Sequence, residues 1–192
     1  RRSPFDGYSD AAKNQSALLQ DVFKQGDAYF NSGDLVRNLG FRHAQFIDRL
    51  GDTFRWKGEN VSTAEVENVL MQQTEIAEAV VYGVEIPQTN GRAGMASITL
   101  AQGLSLEQLN LAELWKKLQQ ALPAYAVPVF LRIQQQLETT STFKYPKNNL
   151  KHQGFDLEQC HEPIVVTLPQ SQTYTPLTAE IFANIQQYHY RF

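Results

Sequence analysis

Two apolar stretches, "EAVVYGVEI" over 78–86 and "AGMASITLA" over 93–101, constrain this chain more than anything else in it. Each is long enough for a buried strand and rich in valine, isoleucine or small residues, and the segment from Pro87 to Gly91 between them has the composition of a turn. Together they read as an antiparallel pair. The stretch "VFLRI" (129–133) returns as a third strand. Helical patterns separate these strands. Ser62 and Glu65 form a Ser-x-x-Glu capping box that opens a helix carrying Val66, Val69 and Leu70. Ser105 with Gln108 repeats that pattern, and Leu106, Leu109, Trp115, Leu118 and Leu122 keep helical spacing until Pro123.

The flanks are less regular. Residues 1–50 read as turns and short strands: "PFDGY" is a turn, "SDAAKNQSALLQDVF" is helical with Ala17, Leu18, Val22 and Phe23 on one side, and "AYFNSGDLVR" and "FRHAQFIDR" are extended. This part is too small to close a core by itself. In "TFRWK" the residues alternate as in a strand, and Gly58-Glu59-Asn60 turns the chain. "QQQLETTSTFKYPKNNL" reads as a polar loop, "IVVTL" as a Pro-flanked strand, and a last short helix follows Thr178. The result is a small α+β domain from about residue 51 onward, preceded by the end of another domain.

With 192 residues, 42% of them hydrophobic, the chain can bury a real core. A net charge of −3 provides no basic field for nucleic acid, so any anionic ligand has to be held locally. The single cysteine, Cys160, cannot form an internal disulfide, which favours a reducing compartment, and no apolar run is long enough for a membrane span. The chain reads as cytoplasmic. It starts at Arg1 and has the look of a fragment of something longer.

Four places could carry chemistry. Asp34 follows Ser32-Gly33 at the end of an aromatic strand; its carboxylate could accept two hydrogen bonds from a vicinal diol such as a ribose, or serve as an ordinary turn aspartate. Arg49 could hold a nucleotide oxygen, or form a surface salt bridge. Gly51 and Gly58 fit a pivot and a close backbone approach respectively, or two simple β-turns. Lys144, in "TTSTFKYPK", could bring a positive charge onto a phosphate, with Lys147 and Lys151 as rivals, or be a solvated lysine. The four histidines lack metal-ligand spacing, "NGRAGMAS" lacks the Gly-Lys-Ser/Thr ending of a phosphate loop, and no Ser or Cys nucleophile motif is visible. Trp56 and Trp115 read as packing residues.

In order along the chain, "YFNSGDL", "DRLGDTFRWKGENVSTAEVE", "YGVEIPQTNGRAGMASI", "LPAYAVPVFLRI" and "TSTFK" closely resemble the C-terminal third of the fatty acid transport protein group. These are very-long-chain acyl-CoA synthetases within the adenylate-forming, or AMP-binding, superfamily. The resemblance runs from "PFDGY" to "YTPLT", and "GDTFRWKGENV" is its most specific part.

It implies a two-step ligase, in which ATP and a fatty acid give an acyl-adenylate and pyrophosphate, and the thiol of coenzyme A then displaces AMP. Mg2+ accompanies the ATP and is held mostly by an upstream domain. The resemblance makes 1–50 the distal end of the large AMP-binding domain and 51–192 a small mobile lid domain with a three-stranded sheet and helices. Asp34 then takes the ribose position, Arg49 a nucleotide contact at the domain junction, Gly51 and Asp52 the hinge, Gly58 the loop against the pantetheine arm, and Lys144 the place of the adenylation lysine. The partners implied are a fatty acid and CoA, with peripheral membrane association through the upstream region, and the piece alone is expected to be inactive. Two alternatives stand beside this: a non-catalytic fatty acid uptake or interaction module, and a ligase for another carboxylic acid such as a bile acid or carnitine-like acid.

Overall fold

The computed structural model describes residues 17–49, 53–137 and 147–192, and the chain divides into two units, Arg1–Gly51 and Asp52–Phe192. In the first unit β1 (Leu18–Gln20) pairs antiparallel with β2 (Ala28–Phe30), and β3 (Asp34–Gly40) with β4 (His43–Arg49). The β1–β2 loop is held by two carboxylates. Asp27 accepts from the backbone N–H groups of Val22, Phe23 and Lys24 at 2.7, 3.0 and 3.1 Å, and Asp21 accepts from Gly26 at 2.6 Å. Of the helix expected over "SDAAKNQSALLQDVF" (9–23), the part before Ala17 lies outside the described residues, Ala17 is helical, and from Leu18 onward the helix does not continue. Asp21 takes φ 55°, which ends any right-handed helix, and Leu18–Gln20 find ladder partners in β2. The β3–β4 turn is Phe41-Arg42, both at positive φ as a two-residue type I′ hairpin requires. Val36, Leu39, Phe41 and Phe46 are exposed on this hairpin.

The second unit begins with a hairpin of β5 (Phe54–Trp56) and β6 (Glu59–Val61). Ser62 then caps α1 (Thr63–Met71), its Oγ accepting from the Glu65 N–H at 3.3 Å, and Thr63, Val66 and Leu70 are buried. Next come β7 (Ile76–Val84) and β8 (Ala93–Leu100), antiparallel as their sequences suggested. The second capping pattern works differently from expectation. Leu106–Gln108 make one 3-10 turn, closed where the Ser105 N–H donates to the Gln108 side chain at 3.0 Å. Leu109 is extended, and the helix proper, α2 (Leu111–Ala121), starts from Asn110, whose side chain accepts from the Glu113 N–H at 3.0 Å. It ends just before Leu122-Pro123.

β9 (Phe130–Gln134) lies parallel to β8, and then come α3 (Lys147–Gln153), β10 (Ile164–Val166), β11 (Thr175–Pro176) and α4 (Ala179–Gln186), capped by Thr178. Residues 147–150, expected in a loop, are thus helical. The sheet has five strands in the order β11-β10-β9-β8-β7, where three were expected. The added strands are very short, but Ile164, Val165 and Val166 are all buried and pair with Arg132, Leu131 and Phe130. The α+β class stands.

Behind β9 the C-terminal segment closes the core. Phe155 stacks on Phe130 with centroids 4.3 Å apart, and the Tyr174 hydroxyl donates to the Pro128 carbonyl at 2.7 Å. Two polar groups cross the sheet. Tyr82 shares a 2.9 Å hydrogen bond with Ser97, and burial pushes its phenol up to about 12. Arg132, 3% exposed, donates to Glu162 at 2.7 Å and to Gln153 at 2.8 Å. Cys160 is buried and unpaired by disulfide, its Sγ 3.4 Å from the Gly154 carbonyl; burial pushes the thiol up.

Candidate functional site

Asp34 is the first residue of β3 and Arg49 the last of β4, and the antiparallel register sets them directly opposite each other. A carboxylate residue and a cationic residue therefore share one rung at the open end of the hairpin, away from the Phe41-Arg42 turn. The approach to Asp34 is shaped by local side chains. Gly33 takes φ 71°, the Asn31 side chain accepts from the Gly33 N–H at 3.0 Å, and Ser32 Oγ accepts from the Asp34 N–H at 3.3 Å. An ionised carboxylate offers only acceptors, which suits a diol.

Gly58 lies at the tip of the β5–β6 hairpin. Lys57 (φ 51°) and Gly58 (φ 87°) form its two-residue turn, so in this chain the turn reading of Gly58 is the geometry seen. A Cβ at Gly58 would meet nothing within 4 Å, which leaves its backbone open to a visitor. The stem is fixed. Phe54, Trp56 and Val61 are buried, the Arg92 N–H donates to the Arg55 carbonyl at 2.7 Å, and Arg55 Nε donates to the Gly58 carbonyl at 3.1 Å. Gly83 and Gly91 lack the Cβ atoms that would collide with Phe54 and with Arg55. Trp56 is thus a packing residue, as expected, with Lys57 Nζ 5.9 Å from its ring centre. Trp115 is partly buried against the same core.

Gly51, Asp52 and Lys144 lie outside the described residues. Of the rivals to Lys144, Lys147 is engaged with Glu67 at 2.9 Å, while Lys151 lines an open concavity of about 850 Å³. That concavity lies between the β7–β8 turn and the end of α3; Glu85, Arg92, His152 and Asp156 also line it. Nothing in the sequence singled it out, because the turn and α3 are joined only through the fold. Among the described residues no three His, Cys, Asp or Glu gather as metal ligands, and no helix is long and apolar enough to cross a membrane.

Residues 65–144 match the family described as AMP-binding enzyme C-terminal domain. The chain carries an AMP-binding enzyme C-terminal domain. It is 46% identical over 186 residues to long-chain fatty acid transport protein 6 of Mus musculus, covering 96% of this chain and 30% of that protein. It is 44% identical to the medium/long-chain-fatty-acid–CoA ligase FadD6 of Mycobacterium tuberculosis, covering 94% and 30%. The chain thus spans about 30% of the length of the curated relatives it matches. Among solved structures, o-succinylbenzoate CoA synthetase (MenE) from Bacillus subtilis, in complex with the acyl-adenylate intermediate OSB-AMP, is similar with TM-score 0.60 and 25% identity, over 74% of this chain and 27% of that one. The match at 65–144 falls within the second unit, and the resemblance seen in the sequence is to the proteins that these comparisons return.

Proposed function

We propose that this chain is the C-terminal part of an ATP-dependent long-chain or very-long-chain fatty acyl-CoA ligase. The observation that carries this reading is the 44% identity to a fatty-acid–CoA ligase over 94% of the chain. In the first step a fatty acid carboxylate oxygen attacks the α-phosphorus of ATP, and the bond to the leaving pyrophosphate breaks. In the second, the CoA thiol attacks the acyl carbonyl carbon, the bond to AMP breaks, and the thiol proton is lost to solvent or a base. Magnesium enters with the ATP, neutralising phosphate charge.

Residues 1–50 are, on this reading, the distal end of the AMP-binding domain, and 51–192 the lid that turns about Gly51 and Asp52. Asp34 accepts from the ribose hydroxyls and Arg49 contacts the nucleotide; their shared rung at a hairpin end supports that pairing. Lys144 places its ammonium where negative charge builds on the transferring phosphorus. Gly58 lets backbone approach the pantetheine arm, supported by the open space at its Cβ position. Fatty acid and CoA are the partners, with peripheral membrane association through an upstream region. The test is ATP–pyrophosphate exchange by the full-length protein across a panel of acids. Exchange confined to long and very long acids, followed by CoA-dependent AMP release, is the expected result. No exchange with any acid would refute it, and exchange driven by bile or carnitine-like acids would redirect it.

A further inference from the structure

The β5–β6 hairpin is seated on the sheet by its first residue. Gly83 and Gly94 are cross-strand partners in the β7–β8 ladder, so the two strands present a patch without side chains. Phe54 fills it: a Cβ at Gly83 would come within 2.6 Å of the Phe54 Cβ, and one at Gly94 within 3.2 Å of its Cζ. Phe54 is 6% exposed, and Trp56, whose backbone bridges to Gly91, is 3% exposed. With the Arg92 N–H bonded to the Arg55 carbonyl, the stem is held through backbone and side chain alike. The tip is different. Lys57 and Gly58 are exposed, and both take positive φ, which costs a residue with a Cβ free energy. Arg55 joins the two parts. Its carbonyl belongs to the stem, while its exposed side chain turns along the hairpin so that Nε donates to the Gly58 carbonyl at 3.1 Å.

We propose that Arg55 is a positioning residue for the thioester half-reaction, holding the Gly58 turn in the shape that receives the pantetheine arm; this rests on the reading of Gly58 given above. A glycine at the tip leaves space for a ligand, but it also gives the backbone more conformations to lose. A carbonyl held by a donor fixes the plane of its peptide, here the one joining Gly58 to Glu59. Arg55 thus removes that freedom before CoA arrives, and it does so from a stem that the sheet has already fixed. A loop formed in advance costs less to order on binding, so the benefit falls on CoA affinity. The contact needs a donor at one place rather than a charge. It is made by Nε, and a glutamine amide nitrogen lies the same number of bonds from the backbone, whereas lysine has a methylene there and its ammonium a bond further out. A direct grip of Arg55 on a CoA phosphate would instead need the charge.

The test uses the full-length protein and reads the half-reactions separately, as turnover of supplied acyl-adenylate at varied CoA and as pyrophosphate exchange. Arg55→Met should raise KM for CoA about fivefold, in keeping with the loss of one hydrogen bond. The kcat for thioester formation, and kcat and KM for ATP in adenylation, should each stay within about twofold. Arg55→Gln should recover most of the loss and Arg55→Lys should not. Because the side chain is exposed and the stem keeps its anchors, urea midpoints of all three should lie close to wild type. The comparison of Gln with Lys stands even if Arg55→Met fails to fold. An unchanged KM for CoA in Arg55→Met, recovery with Lys, a Gln variant no better than Met, or an equal fall in both half-reactions would overturn the proposal. Gly58→Ala in the same assays separates the two claims: if it leaves CoA-dependent turnover intact, the reading of Gly58 fails; if it slows that turnover while Arg55→Met does nothing, only the positioning role fails.

Discussion

Gly91 sits against the carbonyl of Arg55 so closely that a Cβ at residue 91 could not be accommodated, and it does so at φ 89°. This contact, with the adjoining Arg92 N–H bond to the same carbonyl, fixes the β5–β6 hairpin to the β7–β8 turn. Gly91→Ala should therefore cost about 2–4 kcal/mol of stability, combining left-handed backbone strain with collision against rigid backbone. Gly58→Ala is the matched control. Its φ is also positive, but the space around it is open, so its cost should be about 1–2 kcal/mol. Urea unfolding of the two variants checks the order. In the full-length protein Gly58→Ala should slow CoA-dependent turnover while leaving adenylation near wild type.

The sheet's buried cation predicts an asymmetry. Arg132 has only 4% of its side chain exposed, whereas Glu162 has 35%, and Arg132 Nε has no hydrogen-bond partner. Removing the glutamate strands a buried charge; removing the arginine leaves a carboxylate that can hydrate. Glu162→Ala should cost about 2–3 kcal/mol, and Arg132→Met should lie within about 1 kcal/mol of wild type. Urea midpoints at neutral pH decide the order, and the reverse order would contradict this account of the pair.

The same glutamate predicts a pH dependence. Burial raises its pKa, but the backbone hydrogen bond and Arg132 outweigh that effect, so the carboxyl is held below its ordinary value of 4.5. A carboxyl with a lowered folded-state pKa stabilises the fold above the unfolded value and stops doing so as pH falls through the folded one. Stability should decline below about pH 4.5, with a shallower decline in Glu162→Gln. Equal slopes in the two proteins would contradict the assignment.

Some of this was legible in the sequence because the signals are local. The Ser62–Glu65 cap, the β7 and β8 runs and the Thr178 helix start each depend on residues a few positions apart. What escaped depends on distant partners. The apolar spacing on to Phe23 looks helical, yet past Ala17 the Asp21 and Asp27 carboxylates and the β2 ladder turn the chain into a hairpin. β10 and β11 are too short to announce a place in the sheet, and only burial beside β9 gives them one. The Ser105–Gln108 pattern is a true local bond, but it closes one turn and Leu109 breaks away. At the site, Asp34 and Arg49 were legible as residue types, while their shared rung comes from the β3–β4 register. Glu67 and Lys147 sit on different helices, and no spacing rule links them.

Asp34 predicts a defect in affinity. Asn keeps the size and one acceptor but loses the charge and the second acceptor, so Asp34→Asn in the full-length protein should raise KM for ATP about ten- to a hundredfold, as expected for a charged hydrogen bond. Because β3 is held by its ladder to β4, the fold should be unaffected. A KM within twofold of wild type would remove Asp34 from the nucleotide site.

The central claim, that this chain is the lid of an acyl-CoA ligase and delivers Lys144 to the first step, is tested most directly by Lys144→Ala in the full-length protein with the half-reactions measured apart. Acyl-adenylate formation should fall by at least about a hundredfold, in keeping with the loss of one well-placed charge at a transition state, while conversion of supplied acyl-adenylate to acyl-CoA continues near the wild-type rate. Adenylation persisting near wild type would contradict the account.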